Sequence, residues 1–137
     1  AETLNRLGTK RALLVSGRDG LDECSISAPT DVVELRDGNI TRFVLEPEQV
    51  GLTKAANDDI IVLSVEESGK MVEGVLQGNA PEAAINIVLL NAAAALYTVG
   101  KVDTIAEGVH EAKKAIQSGA AYEKLLSLKS KEAQLRA

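Results

Sequence analysis

Two adjacent carboxylates, Asp22 and Glu23, stand shortly after an apolar run, Arg11-Ala-Leu-Leu-Val-Ser16. They lie in a loop, Gly17-Arg-Asp-Gly-Leu-Asp-Glu-Cys-Ser25, that carries two glycines. Short apolar runs of that kind read as strands buried on both faces, as in a parallel sheet. In open α/β sheets, ligands gather beyond the carboxyl ends of strands, where loops converge. A carboxylate pair there suits Mg²⁺, a hard cation that takes one or two protein carboxylates and completes its shell with substrate phosphate and water. Asp22 and Glu23 are therefore candidate metal ligands. Gly17 and Gly20 are expected to shape the loop, through backbone angles that other residues seldom adopt. Asp19 belongs to the same turn. The alternative is a pair of solvated turn residues, since acidic side chains are mostly exposed; the pair alone does not decide between the two.

The remaining reactive side chains carry less. His110 lies between Val109 and Glu111 with no partner at helical spacing, so it is expected to be solvated or partly packed. Cys24 follows two carboxylates, which disfavour a thiolate. Ser25 and Ser27 have no base in view. Asn91, inside the most apolar stretch, is expected to bond a neighbouring backbone group, because buried polar groups need partners. No catalytic side chain is assigned.

The elements that must position this loop are well punctuated. Glu2 to Leu7 reads as the end of a helix stopped by Gly8. Val32–Arg36 and Ile40–Leu45 flank Asp37-Gly38-Asn39, a hairpin pattern, and Glu46 to Ala56 is a loop. Ser64-Val-Glu-Glu67 fits a capping box, opening a helix with Met71, Val72, Val75 and Leu76 in one stripe and Gly78 as its stop. Pro81 suits the first turn of a helix running to about Val99, ended by Gly100. Thr104-Ile-Ala-Glu107 is a second capping box, with Gly119 as the stop. A last helix from Ala120 carries Leu125, Leu126 and Leu128 and frays from Lys129 to Arg136. The stretch Ile85 to Leu96 is apolar around most of its circumference and wants cover on nearly every side. That cover is expected to come from a portion beyond this chain.

The chain has 137 residues, 45% of them hydrophobic and 26% charged, a globular composition on the scale of one domain or part of one. Aromatic residues are 2%, so the core must be aliphatic and base-stacking platforms are excluded. A net charge of −5 opposes phosphate-backbone binding, so no nucleic-acid partner is expected. One Cys and one His exclude zinc sites built from several such ligands. The lone cysteine fits a reducing, cytoplasmic setting. The apolar stretch Ile87 to Leu96, broken by Asn91, is too short to span a bilayer, and no membrane partner or leader is expected. The first residue is Ala, as in a processed chain or a piece of a longer one.

The stretch Leu14-Val-Ser-Gly-Arg-Asp-Gly-Leu-Asp-Glu-Cys-Ser25 resembles the Val-His-Gly-x-x-Gly-Leu-Asp-Glu-Ile-Ser segment of anthranilate phosphoribosyltransferases. The likeness continues through Ala28-Pro-Thr, the Glu-Leu-Arg-Asp-Gly hairpin and Leu45-Glu-Pro-Glu-Gln-Val-Gly-Leu52. It returns at Leu89-Leu-Asn-Ala-Ala-Ala-Ala-Leu-Tyr97 and at Ser118-Gly-Ala-Ala, in the same order and spacing. The resemblance implies an α/β fold, namely part of the large α/β domain of the nucleoside phosphorylase/phosphoribosyltransferase fold. In this chain that means a short buried strand and a β-hairpin followed by a C-terminal half rich in helices, four in all. It implies transfer of the phosphoribosyl group of phosphoribosyl pyrophosphate to the amine of anthranilate, in tryptophan biosynthesis, with Mg²⁺ as cofactor. The family's Asp-Glu pair matching Asp22 and Glu23 holds that Mg²⁺. Members have a small helical domain as well and generally form homodimers through it.

The departures are specific. The family's Gly-Thr-Gly-Gly-Asp phosphate loop, Lys-His-Gly-Asn segment and anthranilate-contacting arginine are absent here. Ser16 stands where the family has His. Cys24 replaces an aliphatic residue, as at a half-buried packing position. Thr53 to Val65 differs from a Gly-Gly-Asp-rich loop. Residues 1–137 are thus expected to be the C-terminal portion of the α/β domain, inactive by itself and holding one corner of an active site whose substrate-binding walls lie elsewhere. A pyrimidine nucleoside phosphorylase relative and a non-catalytic interaction domain of the same fold are the alternatives.

Overall fold

The computed structural model describes residues 1–135. A short helix α1 (Glu2–Arg6) leads into strand β1 (Arg11–Gly17), followed by β2 (Thr30–Arg36) and β3 (Asn39–Leu45). The strands form one antiparallel sheet in the order β1-β2-β3. Register runs from Gly17 opposite Thr30 to Arg11 opposite Arg36, and from Arg36 opposite Asn39 to Thr30 opposite Leu45. Asp37 and Gly38 turn the hairpin with φ of 49° and 86°. Both are left-handed, as the tightest hairpin connection requires, and Asp and Gly tolerate that conformation best. Asn39, expected in the turn, already belongs to β3.

The expectation of a doubly buried strand in a parallel sheet is not met. Leu14 is 37% exposed, and residues 11–15 are at best half-buried. β1 is the edge of an antiparallel sheet: β2 pairs with one side of it, and the helices cover part of one face.

Two short 3₁₀ turns, Pro47–Val50 and Asn57–Ile60, carry the chain into the helices α2 (Val65–Gln77), α3 (Glu82–Thr98), α4 (Ile105–Gln117) and α5 (Ala120–Leu135). Ser64 and Thr104 cap α2 and α4, each hydroxyl accepting the N–H of the glutamate three residues on, at 3.1 Å. Those glutamates, Glu67 and Glu107, reach one residue further out than a capping box requires, to the N–H groups of Leu63 and Asp103. Each cap therefore satisfies donors that the first turn would leave orphaned. In α2, Val75 is buried, but Val72 is 49% exposed and leaves the expected stripe. Pro81 caps α3 from just outside it. α5 continues as helix through Lys129 to Leu135 where fraying was expected, with Lys129 bonded to Glu73 of α2; Arg136 lies outside the described residues.

α3 is the centre of the molecule. Its residues Ala83, Ala84, Ile87, Leu89, Leu90, Ala93 and Ala94 are all buried. The cover expected from beyond the chain is supplied largely from within it. Cys24, Ile26, Val32, Leu45 and Leu52 close one side, and Ile105, Val109 and Ala112 of α4 close another. Val88 and Ala95, with Glu82 at the start of the helix, stay exposed, and Ile85, Ala92 and Leu96 are half-buried. α4 approaches α3 closely because Gly108 meets Ala93 there. A Cβ on Gly108 would lie 2.8 Å from the Ala93 Cα and 2.8 Å from its carbonyl oxygen. At the far end of α3, the Tyr97 hydroxyl donates to Glu34 of β2 at 2.9 Å, under the Arg36 guanidinium.

Candidate functional site

The loop from Gly17 to Ser25 leaves the sheet at the end of β1 and returns through two buried residues, Cys24 and Ser25. Several independent ties shape it. The Gly17 N–H donates to the Leu21 carbonyl at 2.8 Å, and the Arg18 N–H to the Pro29 carbonyl at 2.9 Å. Arg18 also grips Asp31 of β2 with Nη2 and Nε at 2.8 and 3.1 Å, an exposed fork. Gly20 has a φ of 96°, the left-handed region that glycine enters without strain. At Gly17 the constraint is space, since a Cβ would sit 2.5 Å from Asp19 Oδ1 and 3.1 Å from the Ser25 Cβ.

The far end of the loop is clamped from the core. Asn91 of α3 accepts the Cys24 N–H at 2.9 Å and donates to the Cys24 carbonyl, also at 2.9 Å. Its amide donates to the Ile87 carbonyl as well, at 3.0 Å. Backbone partners are what the partial burial of Asn91 calls for, and one of them, Cys24, lies 67 positions away. Cys24 is fully buried rather than half-buried. Burial first, and then the charge of Glu23, push its thiol up to about 11. It is a packing residue beside the acidic pair. Ser25 and Ser27 turn their hydroxyls toward Asp19, and His110 is exposed on α4.

Asp22 and Glu23 are both exposed, side by side on the outer rim of the loop. Neither carboxylate has a hydrogen bond or ion pair among the described residues. Partial burial, followed by the Asp22 charge, raises Glu23 above the ordinary carboxylate value. An unpaired acidic pair of this kind is relieved by a cation. No group of three or more His, Cys, Asp or Glu converges among the described residues. Closed zinc sites and carboxylate-rich calcium cages are thus unsupported there, whereas two carboxylates match the part a protein plays at a Mg²⁺ shared with substrate phosphates. The residues present fit that ion.

A profile of the family described as "Glycosyl transferase family, a/b domain" matches residues 1–122. The chain belongs to that glycosyl transferase family. Among curated relatives, an anthranilate phosphoribosyltransferase of Geobacillus kaustophilus is 58% identical over 132 residues, covering 96% of this chain and 39% of the relative. One from Bacillus velezensis is 42% identical over 137 residues, all of this chain and 40% of the relative. The glycosyl transferase chain thus spans about two-fifths of the length of the relatives it matches. The crystal structure of anthranilate phosphoribosyltransferase from Thermus thermophilus superposes with a TM-score of 0.84 at 34% identity, over 99% of this chain and 39% of that one. The Saccharomyces cerevisiae enzyme in complex with PRPP and Mg superposes with a TM-score of 0.75 at 26% identity, over 85% of this chain and 34% of that one.

Asp19, expected only as part of the turn, accepts hydrogen bonds from Ser25, Ser27, Asn57 and the Leu21 N–H. Its partner Asn57 lies 38 positions away in a 3₁₀ turn, and no spacing rule links the two. Hydrogen bonds from Ser25 and then Ser27 hold the Asp19 carboxyl well below the usual carboxylate range.

Proposed function

We propose that this chain is the C-terminal portion of an anthranilate phosphoribosyltransferase, the enzyme that moves phosphoribosyl from phosphoribosyl pyrophosphate to the anthranilate amine in tryptophan biosynthesis. The observation that carries this reading is the 58% identity to such an enzyme across 96% of the chain. The bare Asp22–Glu23 pair fits the same reading. The yeast relative solved with PRPP and Mg supports Mg²⁺ as the ion concerned.

In this reading Asp22 and Glu23 hold the cation, and Gly17 and Gly20 shape the loop that presents them. Bound there, Mg²⁺ would offset the charge developing on the leaving pyrophosphate as its bond to C1 breaks. Asn91 fixes the backbone at Cys24, directly after Glu23, so the carboxylates stand at a set distance from α3. The loop supplies one wall of the site. Positioning of both substrates accounts for much of enzymatic acceleration, so this segment alone is expected to lack meaningful transferase activity. The family resemblance supports a homodimeric, cytoplasmic parent enzyme.

The test replaces both carboxylates, Asp22→Ala with Glu23→Ala, in the complete protein. Mg²⁺-dependent consumption of anthranilate is expected to fall by about a hundredfold or more. The circular dichroism spectrum is expected to stay unchanged, because both side chains are exposed. Unaltered kinetics would remove the metal role from this loop.

A further inference from the structure

Asp19 lies outside the carboxylate pair but governs the loop that bears it. Its Oδ2 accepts from Ser25 Oγ at 2.6 Å, from Ser27 Oγ, and from Asn57 Nδ2 at 2.9 Å. Its Oδ1 accepts the Leu21 N–H at 3.3 Å. Ser25 Oγ in turn accepts the N–H groups of Ser27 and Ala28, at 3.0 and 3.1 Å. One carboxylate therefore joins the turn that leads into Asp22, the turn that follows Cys24, and the 3₁₀ turn of Asn57.

Two features separate this from an ordinary solvated aspartate. Gly17 has no side chain where Asp19 folds back, so the close approach is built into the backbone. Asn57 also leaves its Oδ1 buried without a hydrogen-bond partner among the described residues. A buried acceptor left alone is costly, commonly by about 1–3 kcal/mol. Rotating the amide would turn its oxygen onto the Asp19 carboxylate, so the amide stays with its NH₂ group on Asp19. The network is exposed at Asp19 itself and runs inward to fully buried Ser25 and half-buried Leu21. It fixes the conformation of the loop at the point where the chain turns back into the interior.

We propose that Asp19, acting through Ser25, Ser27 and Asn57, is the positioning residue of the loop that presents Asp22 and Glu23, and that it sets how tightly this loop holds a divalent cation. The proposal rests on the metal reading of that pair. Groups that orient metal ligands from behind typically change affinity by about 10–100-fold when removed.

Mn²⁺ alone is the probe, added to the full chain and followed by broadening of backbone amide resonances. In the parent chain it is expected to broaden Asp22 and Glu23 first. Asp19→Asn and Asn57→Ala should each raise the Mn²⁺ dissociation constant by about tenfold, with the melting temperature of Asn57→Ala little changed. Asn57→Ala keeps the Asp19 charge, so it separates position from electrostatics, and it carries the test if Asp19→Asn fails to fold. Weakening in Asp19→Asn alone would mean that Asp19 acts by charge, and the positioning role would fall. Unchanged affinity in both variants would overturn it while leaving the metal reading intact. If Mn²⁺ spares the Asp22 and Glu23 amides in the parent chain, or binds equally well after Asp22→Ala with Glu23→Ala, both the metal reading and this role are lost.

Discussion

Cys24 and Glu23 are neighbours in sequence with opposite surroundings. Glu23 faces solvent with its carboxylate unpaired, whereas the Cys24 side chain is enclosed by the core. The thiolate is the nucleophilic form of cysteine, and a thiol pushed up to about 11 carries almost none of it at neutral pH. The folded chain is therefore expected to resist alkylation by iodoacetamide at about pH 8, near the ordinary cysteine value, and to take up one equivalent after denaturation. Mass spectrometry of the two samples checks this. Fast labelling of the folded chain would show that the end of the loop opens, against the paired hydrogen bonds between Cys24 and Asn91.

Among the elements, α3 and α4 cross with a glycine at their point of contact. Gly108 faces the backbone of Ala93, not the end of a flexible side chain, so an added methyl group cannot be absorbed by a rotamer change. Gly108→Ala would gain helix propensity of about 1 kcal/mol. Driving the helices apart costs more, because backbone atoms must move on both sides. A net destabilisation of about 1–3 kcal/mol is expected in urea unfolding. A stabilised variant would mean that the helices cross more loosely. The matching change Gly69→Ala, at a position in α2 where a Cβ meets nothing within 4 Å, is the control and is expected to stabilise.

For the molecule as a whole, α3 decides cooperativity. It contacts the sheet, the loop of Asp22 and Glu23, and α4, so it cannot open without dissolving the core they share. Amide exchange at Ile87, Leu90 and Ala93 is thus expected to occur only through global unfolding, at the slowest rates in the chain. Hydrogen exchange followed by mass spectrometry or NMR measures this directly. Rapid exchange across α3 with a protected β2–β3 hairpin would show that cover from within the chain is insufficient. No single described helix is long and apolar enough to cross a membrane, and the apolarity of α3 is accounted for by burial.

Much of this architecture is legible in the residues themselves. Ser64, Thr104, Gly78, Gly100 and Gly119 mark helix ends because capping and left-handed closure depend on one or two side chains at fixed offsets. Asp37-Gly38 fixes the hairpin for the same local reason, and the Asp22–Glu23 pair stands out because its members are adjacent. The sequence does not reveal what approaches from a distance. The apolar run at Arg11–Ser16 fits a parallel or an antiparallel strand, and only its pairing with β2 decides that. The apolar run of α3 demands cover, but that Gly108 of α4 meets Ala93 there is a fact of helix crossing. The same holds for Asn91 on Cys24 and for Asn57 on Asp19. Those contacts join positions 67 and 38 residues apart. Short-range pattern governs the elements, whereas the tertiary fold alone chooses which distant polar groups meet and so how the acidic loop is held.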